Sequence, residues 1–192
     1  EYQHGTVPIN NDTDYDGLPD GWEVTYGLNP LGDDSKQDPD GDGLTNLQEY
    51  QYSTNPCNGD TDSDGMPDSW EINYLLDPVN SSDANEDCDD DSLTNILEYQ
   101  YGTAPTCNDT DMDGISDGWE VRWSLNPTDP SDAQMDCDGD NLTNLEEYLY
   151  GSNPNNGDTD GDGLPDGWEV EYLLNPTNSS DANIDNDYDG LT

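Results

Sequence analysis

The chain has 192 residues, of which 47 are Asp or Glu and 2 are Lys or Arg, for a formal net charge of −45. That balance excludes nucleic acid and anionic membrane surfaces as partners, since both demand basic clusters and only Lys36 and Arg122 are present. Hydrophobic residues are 29% of the chain with no Phe, too few for one large core or for membrane insertion, and the self-repulsion calls for a counter-charge that metal cations fit best.

The opening residues EYQHGT align with Glu49-Tyr50, with EYQYGT from Glu98 and with Glu147-Tyr148, so residues 1–11 read as the end of an upstream repeat. Next comes DTDYDGLPDGWE at residues 12–23. A 12-residue calcium loop offers oxygens from positions 1, 3, 5, 7, 9 and 12, with Gly at 6 for the sharp turn. Here these are Asp12, Asp14, Asp16, the carbonyl of Leu18, Asp20 or a water it holds, and Glu23, with Gly17 at the turn. Residues 22–28 read as a short helix stopped by Asn29-Pro30. A second loop, DPDGDGLTNLQE, supplies Asp38, Asp40, Asp42, the carbonyl of Leu44, Asn46 and Glu49 around Gly43. A second short helix is expected over residues 45–52, ending near Ser53 with Pro56 beyond. An A loop, a helix, a linker, a B loop and a helix thus make repeat 1, residues 12–59.

Repeat 2, residues 60–108, places Asp60, Asp62, Asp64, Met66, Asp68 and Glu71 in its A loop and Asp87, Asp89, Asp91, Leu93, Asn95 and Glu98 in its B loop. Repeat 3, residues 109–157, has Asp109, Asp111, Asp113, Ile115, Asp117 and Glu120, then Asp136, Asp138, Asp140, Leu142, Asn144 and Glu147. Repeat 4, residues 158–192, is incomplete: Asp158, Asp160, Asp162, Leu164, Asp166 and Glu169 form an A loop, and Asp185, Asp187, Asp189 and Leu191 begin a B loop. A chain that starts and stops inside loops reads as a segment of a longer array, the alternative being a neighbouring chain that completes the open loop. Ser92 and Asn141 replace Gly at position 6; Asn tolerates the left-handed backbone better than Ser, so the second B loop reads as the weakest site.

Calcium is favoured over magnesium, which wants fewer carboxylates, and over zinc, which wants Cys or His. The expected load is about seven or eight ions, one per loop. The pattern DxDxDGxxDxWE followed by DxDGDGLTNxxE resembles the bacterial and archaeal thrombospondin type 3 repeat family over nearly the whole chain. The resemblance implies chain wrapped around calcium in an extracellular protein, a rigid stalk, cell-surface spacer or filament. The fold class expected is a calcium-stabilised tandem array of irregular loops and short α-helices, with little or no β-structure, elongated as a rod or solenoid. The resemblance also suggests ligands outside the loops, and Asp34, Asp83, Asp132 and Asp181, four residues before each B loop, are candidates; a turn or cap is the competing role. A dockerin-like, calcium-dependent protein-binding module shares the loop-helix plan and is the alternative function. No grouping of nucleophile, base and oxyanion donor recurs, so no enzyme is expected. The partners expected are calcium, neighbouring copies in an array or filament, and covalent glycans.

Trp22, Trp70, Trp119 and Trp168 precede each A-loop Glu, with Tyr26, Tyr74, Trp123 and Tyr172 four residues on, a stripe suited to packing neighbouring loops together. Cys57 and Cys107 stand at the ends of repeats 1 and 2, and Cys88 and Cys137 at position 2 of the following B loops. Junctions that lack one lack the other, which favours Cys57 with Cys88 and Cys107 with Cys137, free thiols or a zinc site being the alternative. Each bridge closes about thirty residues and contributes roughly 3–4 kcal/mol by chain entropy. Disulfides imply an oxidising extracellular setting. Sequons occur at Asn11, Asn80, Asn108, Asn141 and Asn178. A left-handed backbone explains Asn11 and Asn108, which align with Gly59 and Gly157, and the loop turn explains Asn141, leaving Asn80 and Asn178 for glycosylation.

Overall fold

A computed structural model describes residues 2–183. The last B loop, with Asp185, Asp187, Asp189 and Leu191, lies outside them. Seven short helices follow the expected order: α1 (Asp20–Tyr26), α2 (Asn46–Tyr52), α3 (Asp68–Asn73), α4 (Asn95–Tyr101), α5 (Asp117–Trp123), α6 (Asn144–Tyr150) and α7 (Asp166–Glu171). Single 3-10 turns at Asp83–Asn85, Asp132–Gln134 and Asp181–Asn183 fill the later linkers, and no described residue lies in a strand. The chain forms two compact units, Glu1–Glu86 with Thr94–Tyr99, and Asp87–Leu93 with Gln100–Thr192.

Helices of six or seven residues are too short to persist alone, so their ends must be held. The B-type helices α2 and α6 open with a capping box: the Thr45 hydroxyl accepts the Gln48 N–H at 3.4 Å while Gln48 Oε1 accepts the Thr45 N–H at 2.9 Å, and Thr143 with Glu146 repeats the pattern. The A-type helices have no side-chain cap and follow Pro19, Pro67, Ser116 or Pro165. They begin at loop position 9, two residues earlier than the sequence suggests, because the loop itself fixes that first turn. Left-handed residues end several helices, and the N–H of Gly27, Ser53 and Gly151 returns to the carbonyl of Glu23, Glu49 and Glu147.

The apolar core is a series of small clusters, one where each loop meets its neighbour. Position 7 fills it: Leu18, Met66 and Ile115 are fully buried, and Leu44, Leu93 and Leu142 nearly so. The tryptophan stripe joins the A-type helix of a repeat to its B-type helix, with ring centroids 5.4 Å apart for Trp22–Tyr50, 5.3 Å for Trp70–Tyr99 and 5.4 Å for Trp119–Tyr148, all edge-on.

All four cysteines are unbonded, so neither expected bridge forms in this structure. Their registers also differ. Cys57 Sγ lies 3.5 Å from the Tyr26 carbonyl, the place taken in repeat 3 by Asn155, whose Nδ2 donates to Trp123. Cys107 Sγ instead approaches the carbonyl of Asp109 at 3.2 Å, the place of Asn156 against Asp158.

Candidate metal centres

Each loop is wound by its own carboxylates. At position 1, Asp12 accepts the Tyr15 N–H at 2.7 Å and the Gly17 N–H at 3.1 Å, and Asp38 accepts those of Gly41 and Gly43. At position 3, Asp14 Oδ1 accepts the Asp16 N–H, and at position 5 Asp16 Oδ1 accepts that of Leu18. Asp60, Asp109, Asp136 and Asp158 repeat the winding from position 1. Asp87 accepts the Ser92 N–H at 3.0 Å, and Asp91 that of Leu93 at 2.7 Å. The backbone turns left-handed at position 6, including Ser92 (φ 85) and Asn141 (φ 80), as expected. It also does so at position 4, at Tyr15, Gly41, Ser63, Asp90, Met112, Gly139 and Gly161. The recurrence of Gly at position 4 in three loops was the available sequence signal.

This winding leaves one set of oxygens without protein donors. Glu23, Glu71, Glu120 and Glu169, at position 12, are fully buried, and neither oxygen of any of them has a hydrogen-bond partner; Glu49 and Glu147 are equally buried, each with one hydroxyl at hand, Thr54 and Ser152. Oδ2 of Asp14, Asp40, Asp62, Asp111, Asp138 and Asp160, at position 3, is likewise buried and unpaired. A buried carboxylate without a donor is costly, so the group these oxygens fit is a cation. Burial first, and the neighbouring aspartates second, push Glu71 and Glu120 up to about 9 and Glu23, Glu49 and Glu147 to about 8. Asp12, Asp14 and Asp16 bring oxygens within 4.8 Å of one another, as do Asp38, Asp40 and Asp42, and Asp60, Asp62 and Asp64. A hard cation that takes six to eight oxygens suits an all-carboxylate and carbonyl set.

The linker aspartates use their two oxygens differently. Asp34, Asp83, Asp132 and Asp181 each accept through Oδ2 the backbone N–H of Asn29, Asp77, Asn126 and Asn175, at 2.8 to 3.0 Å. This is the turn role. Oδ1 of each is buried without a partner. Asp34 groups with Asp16 and Glu23, and Asp83 with Asp64 and Glu71, oxygens again within 4.8 Å. Asp132 raises the pKa of Glu120, and Asp181 that of Glu169, so the same juxtaposition recurs in repeats 3 and 4.

Position 9 is fixed by hydrogen bonds. In the A loops both oxygens of Asp20 are taken by Thr13, its N–H at 2.7 Å and its hydroxyl at 2.8 Å, and Asp68–Thr61, Asp117–Thr110 and Asp166–Thr159 match. In the B loops Nδ2 of Asn46, Asn95 and Asn144 donates to the carbonyl of Asp34, Asp83 and Asp132, while Oδ1 stays buried and unpaired. Within the second B loop, both oxygens of Asp89 are buried and unpaired, and Glu98 is fully buried.

Asn11, Gly59, Asn108 and Gly157 are not left-handed, contrary to the expectation. Their carbonyls close the A loops by accepting the position 9 N–H, and Gly59 and Gly157 are small because Cβ of Asp42 and Asp140 presses on them. Asn80 and Asn178 are exposed, and each Oδ1 accepts the hydroxyl of the sequon serine, Ser82 or Ser180, at 2.6 Å.

Two sequence-family models match the chain. The bacterial TSP3 repeat matches residues 12–31, 38–59, 109–122, 136–157 and 158–172. The calcium-binding domain of clostridial binary toxin B and anthrax toxin PA matches residues 59–86. Comparison with curated proteins and with solved structures found no match.

Proposed function

Because the chain belongs to a TSP3-like family of calcium-binding repeats, we propose that it is a calcium-built structural segment of an extracellular protein, serving as a stalk, spacer or filament. The observation that carries this is the fully buried carboxylates of Glu23, Glu71, Glu120 and Glu169 at position 12, whose oxygens have no hydrogen-bond partner. A structural array needs each loop closed by its ion.

In the A loops and in the B loops of repeats 1 and 3 the first ion would be held by the carboxylates of positions 1, 3 and 5, the carbonyl of position 7 and the glutamate of position 12. In the A loops a second ion would be held by positions 5 and 12 with the linker aspartate: Asp16, Glu23 and Asp34, and Asp64, Glu71 and Asp83. When bound, calcium supplies positive charge that offsets the crowded carboxylates and ties each linker to its loop. Counting the second ions raises the expected uptake above about eight. The exposure of Asn80 and Asn178 supports them as glycan acceptors.

The test is a calorimetric calcium titration of metal-stripped protein, followed in parallel by tryptophan fluorescence. Uptake of about eight or more ions with a large gain of order supports the reading. Uptake of two or fewer, or a fold unchanged on stripping, sinks it.

A further inference from the structure

We infer that the cavity of about 190 Å³ between Ser92, Ser116, Trp119, Arg122 and Tyr148 binds a pyranose sugar that carries a carboxylate, such as a uronate unit of a polysaccharide. All of these residues belong to the second compact unit. Three of them break the repeat. Ser92 stands where the first B loop has Gly43 and the third has Asn141, Ser116 where the other A loops have Pro19, Pro67 and Pro165, and Arg122 where they are followed by Thr25, Asn73 and Glu171. Departures in a B loop, an A loop and a helix thus converge on one cavity, although the other repeats build the same loops and helices without them.

Each departure leaves a polar group free for a ligand. Ser116 is the N-cap of α5, yet its hydroxyl accepts no helix N–H and has no other partner among the described residues. Ser92 holds φ 85, a backbone that Gly adopts with less strain, and its exposed hydroxyl is likewise unpaired. The Arg122 guanidinium lies 5.1 Å from the centroid of the Trp123 ring and forms no ion pair among the described residues, in a chain with 47 acidic side chains. A planar guanidinium held on an aromatic face matches a singly charged, planar carboxylate. The two hydroxyls match those of a sugar ring, and Trp119 with Tyr148, edge-on at 5.4 Å, gives its C–H groups an apolar wall. The volume falls below the roughly 300–1,000 Å³ of a drug-sized site, so it takes one ring. A second cavity of about 120 Å³ shares Ser116 and Tyr148 and gives a neighbouring ring its place. Asp91 also lines the site, but its Oδ1 accepts the Leu93 N–H at 2.7 Å and its Oδ2 that of Gly118 at 2.8 Å, so both oxygens are engaged. The net charge of −45 repels any anion until cations offset it, so the site rests on the calcium reading above.

The test titrates the 192-residue chain, in saturating calcium, with the methyl glycosides of glucuronate and galacturonate, and with those of glucose and galactose as uncharged controls. Arg122 is the one Arg of the chain, so its Nε–H signal in a nitrogen–proton correlation spectrum reports the site directly. That signal shifts with a uronide and stays still with the uncharged sugars. Arg122→Gln weakens uronide binding, followed at the Trp119 indole N–H, by about tenfold or more, as expected for loss of a charged hydrogen bond. Ser92→Gly and Ser116→Pro restore the residues of other loops, and at Ser116 the N–H donates to no group and φ is −82, so Pro fits. Both variants keep the melting temperature and calcium uptake of the parent while losing severalfold in affinity. An Arg122 signal that answers to no uronide, answers equally to the uncharged sugars, or answers better to a sulfated glycoside or an Asp-rich peptide overturns the assignment, as does unchanged affinity in Arg122→Gln. Calcium uptake measured on the same samples separates the two ideas. Uptake with a silent Arg122 signal overturns the sugar site alone. Absence of uptake removes the calcium reading, and the Arg122 signal still decides the sugar site.

Discussion

The carboxylates of Glu71 and Asp83 come within 4.8 Å of each other, together with Asp64, in a site where Glu71 is fully buried and Asp83 nearly so. The two residues belong to different segments, one ending an A loop and the other sitting in the linker. Asp83 is already anchored by the Asp77 N–H through Oδ2, so its Oδ1 is positioned before any ion arrives.

Asp83→Asn should therefore remove one calcium from the total while leaving the first ion of that loop. Calorimetric stoichiometry is expected to fall by one ion, with the rest of the isotherm retained. Asp77→Ala, which changes only the side chain at the anchored amide, should leave the count alone. An unchanged stoichiometry in Asp83→Asn would return this residue to a purely turn-forming role.

The raised carboxyls give the metal-free protein an unusual pH dependence. Glu71 and Glu120 are pushed up to about 9, and Glu23, Glu49 and Glu147 to about 8, from an ordinary 4.5. Between 4.5 and those values the folded state keeps protons that the unfolded state releases, so stability is greatest in acid and is lost as pH rises through the window. Melts of metal-stripped protein should give a higher midpoint at about pH 5 than at about pH 8. Saturating calcium should reverse the trend, because the cation requires the ionised form. A metal-free midpoint that climbs with pH would contradict the burial of these groups.

Thr61→Val should loosen repeat 2 by releasing the position 9 carboxylate of its A loop. It removes the hydroxyl that donates to Asp68 Oδ2 at 2.7 Å and leaves a buried carboxylate oxygen unpaired, a cost of about 1–3 kcal/mol. Thr61→Ser keeps the donor and should recover most of the loss. Denaturant melts in calcium of the three proteins check this, and equal midpoints for Val and Ser would deny the clamp.

Trp70 and Tyr99 should show a coupling of about 0.5–1.5 kcal/mol in a double-mutant cycle to Leu, as expected for an edge-on aromatic pair. A coupling near zero at Trp70–Tyr99 would mean that the two helices are held by their loops alone.

The sequence by itself determined the repeat, the two loops per repeat, the short helices, and the left-handed turn at position 6. All of these are encoded within a 12-residue stretch or its immediate flank, where spacing translates directly into geometry. Tertiary structure decided the features that depend on contacts between segments. Asp34 and its counterparts face the A-loop glutamates because the linker folds back over the loop that precedes it. Position 9 turns to Thr13 in the A loops because position 2 there is a hydroxyl residue, whereas the B loops carry Pro39, Cys88 and Cys137 at that place and their Asn reaches the linker carbonyl. Gly59 and Gly157 look like conformational glycines in sequence, yet their backbone is not left-handed and an aspartate from the preceding loop packs against them. Backbone preference is a local property that one-dimensional spacing can reveal. A steric approach across 17 residues of chain, from Asp42 to Gly59, becomes visible only when the chain has folded back on itself.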